Sequence, residues 1–492
     1  MSTSTSAPGA PPPRDLRAAA VHLLNPAPVA FELAERFAAA GHSLALVGGS
    51  VRDSLLGRLG DDLDFTTDAR PQQILKIVRG WAEAVWEVGI AFGTVGCRRD
   101  GYKLEITTYR SEAYDRTTRK PAVSFGDTLD EDLVRRDFTV NAMAVRFTGD
   151  GLEFVDPHGG LGDLAERVLR TPGTPQQSFS DDPLRMMRAA RFAAQLGFVV
   201  APEVCAAMAA MAERISIVSA ERVRDELSKL LLAPAPRTGL SLLTDTGLAG
   251  IVLPELPKLR LEIDEHHRHK DVYEHSLTVL EQAIELEEDG PDLVLRLAAL
   301  LHDIGKPRTR RFEPGGGVSF HHHETVGAKM VRKRLRELKY PGDVVDDVAL
   351  LVELHLRFHG YGEGEWTDSA VRRYVRDAGP QLSRLHKLTR SDCTTRNKRK
   401  AAALSASYDA LEERIARLRE QEELDSIRPD LDGNQIMELL GIPPGPAVGR
   451  AYRHLLELRL DHGPLGYDAA VTALREWWAT QPPAEEAPRG KH

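Results

Sequence analysis

Two aspartates two residues apart, set behind a Gly–Gly turn, constrain this 492-residue chain more than any other feature. In LVGGSVRDSLLGRLGDDLDFTT (residues 46–67) an apolar run ends at Gly48 and Gly49. A helical run, VRDSLLG, follows, and then a β-like run carries Asp62 and Asp64. Glycine lets the backbone approach a ligand closely, and the start of a helix favours an anion. Arg52, in the first turn of that helix, adds a fork of donors suited to phosphate. Taken alone, the Gly–Gly pair reads as a plain tight turn. Side chains alternate along a strand, however, so Asp62 and Asp64 point to one face. Two hard oxygen ligands on one face suit Mg²⁺, which takes one or two carboxylates and adds substrate phosphates. Glu105, in YKLEITTYR, supplies a further carboxylate on another predicted strand. It reads either as a group that takes the proton of an attacking hydroxyl or as an ordinary salt-bridge residue.

The surroundings predict an α+β chain: a small α/β head joined to an extended helical body. PAPVAFELAERFAAAG is a helix opened by proline and stopped by Gly41. Candidate strands are SLALVGG, DLDFTT, GTVGCRR, YKLEITTYR and VRFTG. From Asp163 the strand signals stop, and the chain reads helical to about Trp478. The expected layout is a disordered tail over 1–26, a head with a small mixed sheet over 27–162 and a helical neck over 163–255. A helical metal-binding domain over 256–400, a helical C-terminal body over 401–480 and a disordered tail over 481–492 follow.

Composition excludes several classes. No apolar run is long enough to span a bilayer, so no membrane is expected as a partner. Cys97, Cys205 and Cys393 form no C-x-x-C pair, and MSTSTSAPGAPPP lacks the basic start and apolar core of a secretory signal. The expected compartment is the cytoplasm. The net charge of −9 argues against nucleic acid for the chain as a whole, but binding needs only a local basic surface. RLHKLTRSDCTTRNKRK (384–400) is such an excess. It reads equally as an RNA contact and as a solvated helix face.

In DDPLRMMRAARFAAQLGF (181–198), Asp182, Arg185, Arg188 and Arg191 recur every third residue, which places them on one helix face. An aspartate beside an arginine offers an acceptor and a fork of donors, enough to hold the edge of cytosine or adenine without a template. The remaining arginines can reach a triphosphate. Burying such a stripe in an otherwise apolar segment requires an anionic partner.

Taken together, these stretches carry a resemblance. GGSVRD followed by DLDFTT resembles the signature of polymerase β-type nucleotidyltransferases that extend RNA 3′ ends. RRDFTVNAMA (135–144) resembles the motif that reads the ribose of the incoming nucleotide, and DPHGGLGDL (156–164) the head–neck hinge. Residues 181–198 resemble the base-selecting motif, and ERVRDELSKLL (221–231) the neck helix behind it. In this order, over roughly the first half of the chain, they resemble the class II group of CCA-adding tRNA nucleotidyltransferases and bacterial poly(A) polymerases. Where that family often has Glu then Asp, this chain has Asp181 then Asp182, and Asp182 with Arg185 is intact.

The resemblance implies catalytic roles for Asp62, Asp64 and Glu105, with Mg²⁺ on the two aspartates. It implies nucleotide contacts from Gly48, Gly49, Arg52, Arg136, Asp137, Asn141, Asp182, Arg185, Arg188 and Arg191, with Asp137 near the ribose 2′-hydroxyl. The implied reaction is template-independent addition of CCA to tRNA from CTP and ATP. A poly(A) polymerase, or an enzyme adding only C or only A, would share these motifs. The long polar segment RSEAYDRTTRKPAVSFGDTLDEDLVR (110–135) leans toward full CCA addition, because the family associates a flexible loop there with the switch from C to A.

A second constellation follows on predicted helices: His275, the adjacent His302 and Asp303, His323, His355 and Asp392. Imidazole with carboxylate suits a transition metal or Mg²⁺. The series resembles the HD superfamily of metal-dependent phosphohydrolases. That resemblance implies His275, His302, Asp303 and Asp392 as the basic ligands, His323 and His355 for a second metal, and Lys306 against a phosphate. Hydrolysis of cyclic phosphodiesters or phosphomonoesters is the implied chemistry; an HD fold kept only as scaffold is the alternative. ELDSIRPDLDGNQIMELLGIPPGPAVGRAYRHLLELRLDHG resembles the C-terminal body that holds the tRNA elbow by shape. Two rivals of another class are a phosphohydrolase whose head merely binds RNA and an RNA-binding scaffold. Intact Asp62, Asp64 and Arg185 weigh against the first, and intact ligands at both sites against the second. Oligomeric state is left open.

Overall fold

A computed structural model describes residues 27–111, 124–260, 271–314, 317–358, 366–394, 397–422 and 428–481. The expected N-terminal tail, the C-terminal tail beyond residue 481, and residues 112–123 of the long polar segment lie outside the described residues. The chain divides into two compact units, Met1–Pro257 and Lys258–His492.

The first unit opens with helix α1 (Pro28–Ala39), proline at its start, and a left-handed Gly41 (φ 78°) just beyond its end. A seven-stranded sheet follows. Its strands are β1 (Leu44–Val47), β2 (Asp62–Thr67), β3 (Ala84–Trp86), β4 (Thr94–Arg99), β5 (Tyr102–Thr108), β6 (Ala144–Thr148) and β7 (Gly151–Val155), in the order β3-β4-β5-β2-β1-β6-β7. All pairings are antiparallel except that of β2 with β5. Strand β1 is buried at every residue, as its unbroken apolar run requires. Along β5, Leu104 and Ile106 enter the core, so Lys103 and Glu105 take the opposite face.

Between and after the strands run α2 (Gly49–Leu55), α3 (Pro71–Val78), α4 (Leu129–Val134), α5 (Gly160–Glu166), α6 (Pro175–Asp181), α7 (Leu184–Leu196), α8 (Pro202–Met211), α9 (Ala220–Leu231) and α10 (Pro236–Asp245). Helix α7 packs against α9 and α10. At Gly239 a Cβ would lie 2.5 Å from the Ala190 carbonyl, so glycine permits the close approach of α10 to α7. Two expectations change here. Strand does not stop at Asp163: Val168–Leu169 pairs in parallel with Val199–Val200. Two-residue strands are too short to leave an alternating pattern. Asp182 does not share the helix face of the arginines. It lies ahead of α7 in extended geometry (φ −142°, ψ 102°), because a residue before proline is disfavoured in the helical region.

The second unit is helical: α11 (Val272–Glu285), α12 (Leu293–Leu301), α13 (Lys306–Thr309), α14 (His323–Glu337), α15 (Gly342–Leu354), α16 (Asp368–Ala378), α17 (Leu382–Ser391), α18 (Lys398–Glu422), α19 (Gly433–Leu440), α20 (Pro446–His462) and α21 (Tyr467–Ala479). One short hairpin, Arg311–Phe312 with Val318–Ser319, interrupts it. Helix α18 runs straight through the boundary expected at 400/401. Its buried Tyr408 stacks on Phe358 at 3.9 Å and donates to the Thr389 carbonyl at 2.8 Å. The last three helices enclose a separate small core around Leu431, Ile436, Ala451, Leu455, Ala470 and Leu474. In the basic run, Arg384 binds Asp292, Lys387 faces Glu288, and Arg390 binds Asp409 and Glu412. Those cations already have carboxylate partners. Among the described residues no helix is long and apolar enough to cross a membrane.

Candidate active site and metal centre

The turn after β1 is built for close approach. Gly48 takes φ 67° and ψ −133°, and a Cβ there would lie 2.9 Å from Arg136 Nη1 and 4.0 Å from Asp64 Oδ2. It is this positive-φ backbone that demands glycine, while the Arg136 guanidinium lies close over the turn. Gly49 then opens α2.

The register of the parallel β2–β5 pair sets Asp62 beside Lys103 and Asp64 beside Glu105. The three carboxylates therefore share one patch of sheet. Lys103 Nζ sits 2.7 Å from Glu105 Oε1 and 3.8 Å from Asp62 Oδ1. The Asp64 carboxyl is raised above its ordinary value. Desolvation by the crowded surroundings contributes most, Arg136 opposes it, and Glu105 and Asp62 push the same way as desolvation. Carboxylates that repel one another in this way gain from a divalent cation, so the donor set fits Mg²⁺.

Arg52 is turned inward rather than toward a ligand. Its Nε and Nη2 clasp Asp53 at 3.0 and 2.7 Å, its Nη1 donates to Asn141 Oδ1 at 2.6 Å, and its guanidinium lies 5.2 Å over Phe192. The neighbouring Asp53 takes the fork expected for phosphate, and Arg52 becomes the support of Asn141. Asn141 Nδ2 in turn donates to Asp137 Oδ1 at 3.0 Å, while Arg188 Nε donates to Asp137 Oδ2 at 2.8 Å. Burial alone would raise the Asp137 carboxyl, but Arg188 and the Asn141 hydrogen bond outweigh it and hold it well below the usual range. Arg136 Nη2 binds the buried Asp132 at 2.9 Å, and its buried Nε has no hydrogen-bond partner.

The base-selecting stretch divides its labour. Arg185 donates to Ser178 Oγ at 2.9 Å and to the Arg135 carbonyl. Asp182 accepts from Arg222 at 2.8 Å and from the Leu184 amide at 3.1 Å. Arg191 is buried against Glu226, Nε to Oε2 2.6 Å. The arginine stripe thus finds two anionic partners within the protein, Asp137 for Arg188 and Glu226 of α9 for Arg191, and Arg191 faces Glu226 rather than a triphosphate. Ser50, Lys103, Asp132, Ser178 and Glu226 escaped the sequence reading. The Asp132–Arg136 spacing of four and the Lys103–Glu105 spacing of two were visible in it; Ser50, Ser178 and Glu226 meet their partners only through the tertiary fold.

In the second unit, His275, His302 and Asp392 converge, as do Asp303, His323 and His355. His275 Nε2 lies 2.9 Å from Asp392 Oδ1 and 3.3 Å from His302 Nε2. The Asp303 carboxylate spans both groups: Oδ2 is 3.2 Å from His302 Nε2 and Oδ1 is 3.2 Å from His323 Nε2. His302, His355 and Asp392 each follow the last residue of a helix, where the helix dipole favours a cation. There the helix leaves carbonyls free, and His302 and His355 use them: Nδ1 meets the Ala299 and Val352 oxygens at 2.8 and 2.6 Å. His323 Nδ1 meets the Phe320 oxygen at 2.8 Å, and His275 Nδ1 meets Thr394 Oγ1 at 3.1 Å. These contacts place each Nδ1 proton on an acceptor and leave each Nε2 lone pair for a metal. The buried Nε2 of His355 has no hydrogen-bond partner, and that of His323 faces only Asp303. Burial and His302 push His355 down to about 3, which keeps it in the neutral form that ligates. Against the effect of burial, Asp303 and Asp392 raise His302 to about 9, so positive charge is favoured between the carboxylates. The donors fit a transition metal. Lys306 Nζ holds Asp303 Oδ2 at 2.6 Å.

Three segments of the chain are similar to known protein families. Residues 44–170 match the poly A polymerase head domain, 197–259 the probable RNA and SrmB-binding site of polymerase A, and 272–397 the HD domain. The A-adding tRNA nucleotidyltransferase of Deinococcus radiodurans is 36% identical over 447 residues, 89% of this chain and 96% of that one. The CC-adding tRNA nucleotidyltransferase of Thermus thermophilus is 32% identical over 443 residues, 88% and 93% of the two chains. A crystal structure of the Bacillus stearothermophilus CCA-adding enzyme in complex with CTP superposes with a TM-score of 0.66 at 25% identity, covering 92% of this chain and 97% of that one. The chain belongs to the tRNA nucleotidyltransferase family and is an RNA nucleotidyltransferase that carries an HD domain.

Proposed function

We propose that the protein adds CCA to tRNA 3′ ends from CTP and ATP without a nucleic-acid template. The observation that carries the chemistry is the in-register Asp64–Glu105 pair, with Asp62 on the same strand, opposite Gly48 and Arg136. The RNA 3′-hydroxyl attacks the α-phosphate, a new O3′–P bond forms, and pyrophosphate leaves as the bond to the β-phosphate oxygen breaks. Asp62 and Asp64 would hold Mg²⁺, which would supply stabilisation of the developing charge. Glu105 takes the hydroxyl proton. Arg136, its Nη1 against the Gly48 turn, offers its guanidinium to the triphosphate, and Asp137, oriented by Asn141 and Arg188, faces the ribose. Asp182 and Arg185 read the base edge, while Arg191 holds the helix in place through Glu226.

A second reading has its own support: two relatives that match nearly the whole chain are named A-adding and CC-adding. A tRNA transcript lacking its 3′ end, and one ending in CC, are each incubated with CTP, with ATP and with both. Two C residues followed by one A and a stop establishes CCA addition. A alone on the CC transcript, or CC alone on the other, establishes the partial activity, and an open-ended A tail establishes a poly(A) polymerase. D62A/D64A should abolish every product.

We further propose that the HD domain is a hydrolytic centre in which His275, His302 and Asp392 would hold one divalent transition metal and Asp303, His323 and His355 a second, each able to activate a water. Metal analysis of the purified protein should give about two ions per chain, and His323→Ala or His355→Ala should lose one. Release of phosphate from a phosphomonoester, or opening of a cyclic phosphodiester, by the loaded protein tests the activity.

A further inference from the structure

The ladder between β1 and β2 stops one residue short of the metal-binding pair. Its last partners are Leu46 and Phe65, because β1 leaves the sheet at the Gly48 turn. On the other edge β2 stays paired with β5 as far as Asp62 and Lys103. The backbone of Asp62 and Asp64 therefore has a strand on one side and a gap on the other. A gap in a ladder leaves a donor and an acceptor that need partners.

One side chain fills the gap. Ser50 is 4% exposed. Its Oγ accepts the Asp64 amide at 2.9 Å and reaches the Asp62 carbonyl at 3.4 Å. A serine in the first turn of a helix usually bonds to its own helix or to water. Here the hydroxyl leaves its helix and grips another strand. It uses its donor and its acceptor on the two residues whose carboxylates face the metal position. The same turn positions Gly48 against Arg136 and Asp64, so the hydroxyl ties the phosphate-side turn to the carboxylate strand.

We propose that Ser50 is a positioning residue for the metal site, fixing the backbone of Asp62 and Asp64 so that both carboxylates meet one cation. It touches neither substrate nor metal and acts through the strand. The proposal rests on the reading of Asp62 and Asp64 as metal ligands.

The test uses the full-length protein and Mn²⁺ as probe, with bound ion measured by electron paramagnetic resonance in the presence of CTP. The head site is defined as the binding that D62A/D64A removes; ions in the HD centre contribute equally to every variant and subtract out. Ser50→Ala should weaken that site about tenfold or more, the range found when a partner of a metal ligand is removed. Half-maximal incorporation should move to higher Mg²⁺ by a similar factor, with kcat recovering at saturating Mg²⁺ and KM for CTP little changed. Ser50→Thr, which keeps the hydroxyl, should restore binding. Thermal midpoints without metal show that both variants are folded. If D62A/D64A removes no Mn²⁺, the reading of the aspartates fails and the proposal falls with it. If D62A/D64A removes the site but S50A binds as tightly as wild type, or S50T is as weak as S50A, the proposal alone is overturned. A kcat deficit that no Mg²⁺ concentration rescues also overturns it, since that is damage to the fold.

Discussion

Asp137 is the residue on which the head and the neck meet: Asn141 and its own loop hold one oxygen, and Arg188 holds the other. Asp137→Asn removes the charge but keeps the shape, and should destabilise the protein by about 2 kcal/mol, the loss expected for a hydrogen bond to a charged group. A carboxylate whose folded pKa lies below its unfolded value, about 3.9 for aspartate, binds fewer protons in the folded chain. Its stabilisation is complete above that value and is lost as pH falls through the depressed folded one. The gap between wild type and D137N in chemical denaturation should therefore be constant from neutrality to about pH 5 and narrow below about pH 4. A gap that grew toward acid would contradict the Arg188 pairing. Asp132 gives a companion case, because it aims Arg136 past the Gly48 turn. Asp132→Asn should raise KM for CTP and ATP about tenfold, a loss of 1.4 kcal/mol of binding, while Mg²⁺ dependence stays unchanged.

Between elements, α7 and α9 are joined by a buried ion pair. Removing one partner of such a pair strands the other charge, so Glu226→Ala should cost roughly 3 kcal/mol. Because α7 also carries Arg185 and Arg188, the variant should misincorporate among nucleotides as well as melt earlier, which primer-extension products and a thermal midpoint would register together. This pair illustrates what the sequence carried. The three-residue spacing of Arg185, Arg188 and Arg191 was legible, and so was the need for an anion. That the anions are Asp137 and Glu226, and that Asp182 stands off the helix at Pro183, depends on packing and on one φ/ψ choice. The strand carrying Glu105 was likewise legible from its alternation. Its pairing with Asp64 was not, since parallel register across a long connection leaves no local trace. The histidine series was readable as residues. That helix ends supply both the dipole and the carbonyls that set each tautomer became visible only with the helices in place.

At the scale of the whole molecule, each compact unit holds a centre made entirely from its own residues, and the two centres differ in kind. The head offers oxygen donors flanked by arginines, a setting for a hard cation and a nucleotide. The second unit offers imidazoles with carboxylates around a cation position, a setting for softer metals. The two chemistries should therefore separate under chelation and mutation. D62A/D64A should abolish nucleotide addition while the metal content of the second unit, measured by elemental analysis, stays at its wild-type level. His302→Ala with Asp303→Ala should empty that metal and leave nucleotide addition in Mg²⁺ within about twofold of wild type, the change expected when ΔG‡ moves by no more than ~0.4 kcal/mol. Both substitutions fall on fully buried groups, so a circular-dichroism melt must first show a folded second unit. Loss of nucleotide addition in a folded variant would mean that the head depends on the second centre, and the ratio of the two rates would give the change in activation free energy. Retention would mean that nucleotide addition in the head does not depend on the centre of the second unit.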